Sequence, residues 1–216
     1  MARSFSHTHE LHLWWTQDNA GRTLALEPTK AELERVTYFK SPQRTREYLF
    51  GHSWMRSILR QYLPQETETL ELLTSAHGKP FLPNHHLSFN LSHSNGTYVL
   101  AVAAEGQLGL DVEWQKRAIE PDFLRSVFQP EELADTDHIL HRWTLKEALR
   151  KALDDPTIPF REMRVDLHPL QVKVPNAILD HQHWSFRHHQ LDPEYLVGLA
   201  WAKKAAFQAE IHIFPG

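Results

Sequence analysis

Residues 97–114 read TYVLAVAAEGQLGLDVEW, and this stretch decides the fold. Residues 98–104 are a nearly continuous apolar run, which is typical of a buried strand. Residues 108–114 predict a second strand, in which apolar side chains alternate with Asp111 and Glu113. The two predicted strands lie on either side of residue 105, near the middle of the chain.

Similar elements recur on both sides of this stretch. Residues 54–60 and 143–150 are comparable amphipathic helices, and residues 98–102 and 195–199 are comparable apolar strands. An internal repeat of this kind indicates two similar α+β units that meet near residue 105.

The predicted fold is therefore α+β, with pseudo-symmetric halves at residues 1–104 and 105–216. Each half is a small antiparallel sheet packed with a long helix, and the active site is expected in the cleft between them. The long helices are predicted over residues 44–63 and 130–153, from apolar side chains at three- and four-residue spacing. The other predicted elements are a helix that opens at Pro28 and strands at residues 10–16, 70–74, 87–91, 163–167, 184–188 and 195–201.

Composition excludes several classes of function. A net charge of −4 argues against a protein that binds duplex DNA by bulk charge. No run approaches the ~18 apolar residues of a membrane helix, and the first residues do not read as a signal peptide. The chain has no cysteine, which rules out disulfides, thiolate metal sites and cysteine nucleophiles. We expect a soluble, cytoplasmic protein without nucleic-acid or membrane partners.

The strand at residues 108–114 carries a candidate metal site. Side chains two positions apart on a strand point to the same face, so Asp111 and Glu113 lie about 7 Å apart at the backbone. Ligation by carboxylate oxygens suits Mg²⁺, which shares its shell with water and substrate phosphates. An exposed edge strand with alternating charge would give the same pattern.

The helix at residues 143–151 offers a third carboxylate. Glu147 and Lys151 are four positions apart and share one helix face. In one interpretation they form an ordinary surface ion pair, worth about 0.2–0.5 kcal/mol. In the functional interpretation, Glu147 is a third metal ligand and Lys151 contacts a phosphate. A further polar group, Ser92-His93-Ser94, ends a predicted strand, where ligands often bind. The segment lacks the G-x-S-x-G turn of a serine hydrolase.

Four segments occur in a fixed order: GKPFL at residues 78–82, FNLSHS at 89–94, GLDVE at 109–113 and WTLKEALRKA at 143–152. Together they resemble the 4′-phosphopantetheinyl transferase superfamily, in particular its larger, monomeric, surfactin-synthetase type with two pseudo-symmetric halves. The resemblance implies transfer of the phosphopantetheine arm of coenzyme A to a serine of an acyl or peptidyl carrier protein, with release of adenosine 3′,5′-bisphosphate. The carrier would serve fatty-acid, polyketide or peptide synthesis.

The resemblance also implies roles for single residues. Asp111, Glu113 and Glu147 match the Mg²⁺ ligands, and Mn²⁺ could occupy the same oxygen site. Lys151 matches a lysine on the pyrophosphate. Asp111, Glu147 and Lys151 would be the catalytic residues, with Glu147, or a water that it orients, accepting the serine proton. The implied contacts to coenzyme A are Lys79 near the adenine and 3′-phosphate, His93 on the 3′-phosphate, and Pro80, Ser92 and Arg46.

Two positions depart from the family pattern. Glu47 stands where related proteins have an arginine four positions before the helix glycine, here Gly51. Either Arg46 or Arg44 reaches the coenzyme A phosphate by a shifted path, or that contact is missing. Residues 153–159 lack the glycines usual after the helix, which bears on the range of carrier proteins.

Glu132 matches a glutamate that related proteins have close to the metal.

Three other functions remain open at this point. A non-catalytic binder of coenzyme A or carrier proteins would be expected to have lost a metal carboxylate. A Mg²⁺-dependent phosphohydrolase would use the same carboxylates with water as the nucleophile. A structural α+β protein would have to contain all four segments by coincidence.

Overall fold

The computed structural model describes residues 3–18, 23–64, 70–83, 85–175, 177–179, 183–203 and 207–215. The strands are β1 (Glu10–Gln17), β2 (Leu73–Thr74), β3 (Pro80–Phe81), β4 (Ser88–Ser94), β5 (Thr97–Ala103), β6 (Gln107–Trp114), β7 (Arg164–Leu167), β8 (Leu170–Val174), β9 (Ala177–Ile178), β10 (Trp184–Asp192), β11 (Tyr195–Ala202) and β12 (Glu210–Pro215). The α-helices are α1 (Lys30–Val36), α2 (Pro42–Leu59), α3 (Pro121–Val127), α4 (Pro130–Leu133) and α5 (Ile139–Leu153). Within these ranges, no helix combines the length and the apolar character needed to cross a bilayer.

Two sheets and two long helices form four layers, which confirms the α+β prediction. The first sheet has the strand order β12-β1-β5-β4, and the second has the order β10-β11-β6. Helix α2 covers the outer face of the first sheet, and α5 covers the outer face of the second. The inner faces of the two sheets pack together through side chains that include Leu13, Val99, Leu110 and Val197.

This layering explains the apolar run at residues 98–104. Strand β5 is buried along its whole length because its side chains alternate between two cores. Tyr98, Leu100 and Val102 pack under α2, whereas Val99 and Ala101 pack against the second sheet. Because both faces of the strand are buried, apolar residues do not alternate with polar ones, and the sequence is a continuous apolar run.

The structure corrects the helix predicted over residues 130–153. It is broken into α4, a 3-10 turn at Thr136–His138 and α5. Asp135 has a non-helical backbone (φ −114°, ψ 79°), and its carboxylate accepts hydrogen bonds from His138 Nδ1 at 2.8 Å and Arg142 Nη2 at 2.9 Å. These local bonds compete with helical geometry, as short acidic side chains often do.

Other differences concern short or terminal elements. The helix predicted after Pro28 begins at Lys30, where Thr29 forms its N-cap. Within the predicted strand at residues 70–74, only β2 is extended, and it pairs with β3. The unpredicted β12 lies near the end of the chain and pairs in parallel with β1, at the edge of the first sheet. The division into halves at residues 104 and 105 stays a prediction.

Close approach between α5 and the second sheet depends on two glycines. A Cβ at Gly109 of β6 would overlap the Ala148 carbonyl oxygen and the Ala152 nitrogen of α5. A Cβ at Gly198 of β11 would lie 2.6 Å from the Thr144 carbonyl carbon. The backbones therefore meet without intervening side chains, which fixes the position of α5 over the sheet.

A buried ion pair fixes the other side of α5. Lys146 is fully buried, and its ammonium lies 2.7 Å from Glu132 Oε2 and 3.1 Å from the Val127 carbonyl. The second oxygen of Glu132 accepts the Val165 N–H at 3.0 Å. This network corrects the expectation for Glu132, because the carboxylate is used in packing α4 and β7 against α5 and does not line the cavity of Asp111, Glu113 and Glu147.

Replacing Gly109 by Ala should lower the free energy of unfolding by about 3 kcal/mol, because α5 would have to move off the sheet. Gly51→Ala is the matched control. Its added Cβ would meet side-chain atoms, the nearest in the Tyr98 ring at 2.9 Å. The buried Tyr98 ring must shift to admit the Cβ, but better helix propensity returns about 1 kcal/mol, so the loss should be smaller than at Gly109. Urea denaturation of both variants measures the difference, and equal losses would contradict the close-approach argument.

Lys146→Met should destabilise the fold by about 3–5 kcal/mol, since it leaves the Glu132 carboxylate buried without a cation. The double variant Lys146→Met, Glu132→Gln should recover part of this loss, because it removes the uncompensated charge. Thermal and urea unfolding would rank the stabilities of the wild type, Lys146→Met and the double variant. A double variant less stable than Lys146→Met alone would mean that charge burial is not the cause.

Candidate active site

The candidate site lies along a seam between the two sheets. Strands β4 and β6 run side by side in the same direction but belong to different sheets. Asn90 Oδ1 accepts the Leu110 N–H at 2.8 Å, and Ser94 Oγ accepts the Trp114 N–H at 3.1 Å. Side chains of β4 thus satisfy backbone groups on the outer edge of β6, as an edge strand requires.

Asp111 lies at the centre of this seam and is buried. Its Oδ1 accepts hydrogen bonds from Ser92 Oγ at 2.9 Å and from the Lys151 ammonium at 2.7 Å. Its Oδ2 is also buried and has no hydrogen-bond partner in the part of the chain that the structure describes. A buried carboxylate oxygen without a partner is costly, and it indicates a place where a cation or donor would bind.

Glu113 is held one step along the same strand. Its Oε1 accepts a hydrogen bond from Trp143 Nε1 at 2.7 Å and one from the Arg117 guanidinium. Its Oε2 accepts a hydrogen bond from Ser94 Oγ at 3.3 Å. The carboxylate is therefore held by three partners, which lie on β4, on α5 and just after β6.

Glu147 faces these two carboxylates from α5. Burial raises its pKa, and the negative charges of Asp111 and Glu113 raise it further, although Lys151 and Arg150 oppose this. Arg150 Nη2 lies 3.4 Å from Glu147 Oε1. All three carboxylates line one cavity of about 310 Å³, together with Leu91, Ser92, His93, Trp143 and Lys151.

This donor set fits a hard divalent cation. Three carboxylates with one unpaired buried oxygen are the chemistry that Mg²⁺ or Mn²⁺ takes in proteins. Among the described residues, no three His, Asp or Glu side chains are already arranged to hold a metal ion. In this arrangement Lys151 occupies one oxygen of Asp111, and Arg117 occupies one oxygen of Glu113.

Lys151 reaches the seam from the last turns of α5. Besides Asp111, its ammonium contacts Ser92 Oγ and the Leu110 carbonyl, each at 3.1 Å. The positive charge is thus already positioned beside the carboxylates, within reach of an anionic ligand in the cavity.

His93 connects this cavity to a second one. Its ring stacks on Tyr98, with centroids 5.1 Å apart, and burial lowers its pKa. The second cavity has a volume of about 320 Å³, and its lining includes Arg35, Arg44, Glu47, Tyr48, Asn90, Leu91 and Tyr98.

Among the candidate arginines, only Arg44 lines that second cavity in the described structure. Arg46 is instead paired with Asp18, whose carboxylate oxygens lie 2.7 and 2.9 Å from Arg46 Nη2. Glu47 accepts a hydrogen bond from Gln43 at 2.8 Å. The structure thus brings Arg44 rather than Arg46 close to His93.

Lys79 and Pro80 line a third cavity, of about 260 Å³, which also contacts Glu147 and Lys151. The Lys79 ammonium donates to the Leu108 carbonyl at 2.9 Å and the Lys151 carbonyl at 2.7 Å. Burial lowers the pKa of Lys79, while Asp154 opposes this effect.

Four residues orient the site without a role predicted from the sequence: Asn90, Arg117 and Trp143, and Ser94, which the sequence marks only as part of the polar end of a strand. A signal existed for three of them. Asn90 and Ser94 alternate with Ser92 on one face of β4, and Trp143 lies one helical turn before Glu147. Arg117 follows β6, and no sequence pattern predicts a role for it.

Comparisons with known proteins identify the family of the chain. Residues 107–200 match the family model for the 4′-phosphopantetheinyl transferase superfamily, and residues 15–106 match the model for a 4′-phosphopantetheinyl transferase N-terminal region. The 4′-phosphopantetheinyl transferase HetI of Nostoc sp. is 30% identical over 180 residues, covering 75% of this chain and 76% of that protein. The human L-aminoadipate-semialdehyde dehydrogenase-phosphopantetheinyl transferase is 24% identical over 222 residues, covering 88% of this chain and 72% of that protein.

The two family models meet at residues 106 and 107, at the junction between β5 and β6. The Nostoc relative shares its similarity over three quarters of both chains. The chain belongs to the 4′-phosphopantetheinyl transferase superfamily.

Proposed function

We propose that the protein transfers the 4′-phosphopantetheine group of coenzyme A to a serine of an acyl or peptidyl carrier protein. The observation that carries the proposal is the convergence of Asp111, Glu113, Glu147 and Lys151 on one cavity at the seam. The Nostoc and human relatives, both named as phosphopantetheinyl transferases, support the same reaction.

The reaction joins the serine oxygen to the β-phosphorus of coenzyme A. The bond from that phosphorus to the bridging oxygen breaks, adenosine 3′,5′-bisphosphate leaves, and the serine proton passes to a base. Negative charge on the pyrophosphate opposes the attack, so charge neutralisation and in-line positioning supply most of the catalysis.

Asp111, Glu113 and Glu147 would hold a Mg²⁺ ion, which supplies positive charge to the pyrophosphate oxygens when bound. The unpaired Oδ2 of Asp111 supports this assignment, and Mn²⁺ suits the same oxygen donors. Trp143 and Ser94 hold Glu113 in place. Lys151 would release Asp111 and neutralise the phosphate that leaves.

Glu147 is the proposed acceptor of the serine proton, directly or through a water that it orients. Burial raises its pKa, which brings its basicity closer to neutral pH and suits a general base. Its position on α5, opposite Asp111, would place the serine at the open side of the cavity.

Coenzyme A would lie across the three connected cavities. Ser92 and Lys151 are proposed to contact the pyrophosphate, and His93 the 3′-phosphate. Pro80 and the stem of Lys79 would line the nucleotide site. The lining of the second cavity favours Arg44 over Arg46 as the arginine at the phosphate. In this proposal residues 1–104 supply most nucleotide contacts and residues 105–216 supply the metal ligands.

The remaining proposals follow from the resemblance and the composition. The larger surfactin-synthetase type implies a monomer that acts on carrier proteins of fatty-acid, polyketide or peptide synthesis. A cytoplasmic location fits a cysteine-free chain, and the net charge of −4 fits a protein without a nucleic-acid partner.

Incubation with apo acyl carrier protein, coenzyme A and Mg²⁺ should add about 340 Da to the carrier, the mass of the covalently attached arm. Intact-mass spectrometry measures the gain, and EDTA should abolish it. Free phosphopantetheine without a modified carrier would identify a phosphohydrolase. Bound coenzyme A without any reaction, across several apo carriers, would identify a non-catalytic binder.

Glu147→Gln should lower kcat at least 100-fold while leaving the fold intact, because the amide cannot accept the proton and is a weaker ligand. The matched control is Glu131→Gln, at an exposed position of α4. A rate for Glu147→Gln within about threefold of wild type (under ~0.7 kcal/mol of barrier) would contradict the assignment.

A further inference from the structure

Lys79 makes two contacts that join the first sheet and α2 to the second sheet and α5. It precedes β3, on the side of α2 and the first sheet, yet its ammonium donates to the Leu108 carbonyl of β6 and the Lys151 carbonyl of α5. Both acceptors are main-chain oxygens of the elements that carry the metal carboxylates and the catalytic lysine.

Each of these carbonyls has a structural reason to need a donor. Lys151 lies in the last turn of α5, which ends at Leu153, and carbonyls of a last turn have no intrahelical partner. Leu108 lies two positions before Leu110, on the edge of β6 that faces β4. That edge makes its hydrogen bonds with side chains, and Lys151 itself caps the Leu110 carbonyl.

A cation at the carboxyl end of a helix also interacts favourably with the helix dipole. Lys79 therefore caps the last turn of α5 and attaches it to the β6 edge. The backbone of Lys151 is fixed by this cap, and the Lys151 side chain extends from there to Asp111, at 2.7 Å.

We propose that Lys79 is a positioning residue that acts through Lys151, by holding the last turn of α5 against β6. Its ammonium is engaged by protein carbonyls, so its main contribution is to the placement of the Lys151 charge and not to affinity for the 3′-phosphate. This inference rests on the proposed function for its kinetic consequence, whereas the cap itself is a property of the fold.

The kinetic test compares coenzyme A with 3′-dephospho-coenzyme A. Lys79→Met should lower kcat about 10- to 100-fold with both co-substrates and leave KM nearly unchanged, because a small misplacement of a catalytic group has effects of this size. Lys79→Gln, which retains one donor group, should lie between Met and wild type. Lys30→Met, at an exposed position of α1, is the matched control. Rates are compared well below the melting temperature of each variant.

A second arm asks whether Lys79 acts through Lys151. In a Lys151→Met background, adding Lys79→Met should reduce the residual rate less than threefold, since coupled residues are not additive. A loss confined to KM for coenzyme A and absent with the dephospho compound would overturn the proposal in favour of a direct phosphate contact. Full additivity of the two substitutions would also overturn it.

A third arm does not depend on catalysis. In Lys79→Met, amide hydrogen exchange in the last turn of α5 should accelerate at least tenfold, while Lys30→Met leaves it unchanged. Unchanged exchange in the Lys79 variant would refute the cap whatever the enzyme does. If the wild-type protein transfers nothing while Lys79→Met still shows faster exchange in the last turn of α5, the proposed function is refuted and the cap is not.

Discussion

Helix α5 lies directly on the backbone of strands β6 and β11, and the site depends on this contact. Gly109 and Gly198 leave no side chain between helix and sheet at the positions where they meet Ala148 and Thr144. The same helix carries Glu147 and Lys151, and the same strand carries Asp111 and Glu113. Any side chain at those glycines would move the helix away from the strand and separate the charges.

The outer edge of β6 gives the second constraint. A strand edge needs hydrogen-bond partners, and here Asn90, Ser94, Lys79 and Lys151 supply them instead of a neighbouring strand. The edge is therefore capped by side chains from β4, α5 and the segment before β3. A continuous ladder between β4 and β6 would have closed the cavity in which the carboxylates meet.

Charge in the site is balanced pair by pair. Asp111 is matched with Lys151, Glu113 with Arg117 and Glu147 with Arg150. Buried like charges would otherwise repel one another, and the raised pKa of Glu147 comes first from burial of its carboxyl rather than from this repulsion. A divalent cation and a dianionic phosphate together would replace these pairs without changing the net charge by a large amount. On the far side of α5, the Lys146–Glu132 pair is fully satisfied by backbone groups and serves packing.

Local patterns in the sequence determined the fold class, the family and the residue types of the site, because strand alternation, helix spacing and short motifs depend on neighbouring residues. They also placed Asp111, Glu113, Glu147 and Lys151 on faces that could meet. Only the tertiary structure decided that Asp135 breaks the helix before α5, that β12 returns to β1, and that Glu132 faces Lys146. The same holds for the partners of Arg46 and Lys79, since Asp18 and the carbonyls of Leu108 and Lys151 are distant along the chain. Contacts between distant residues follow from packing and burial, and no local pattern carries that information.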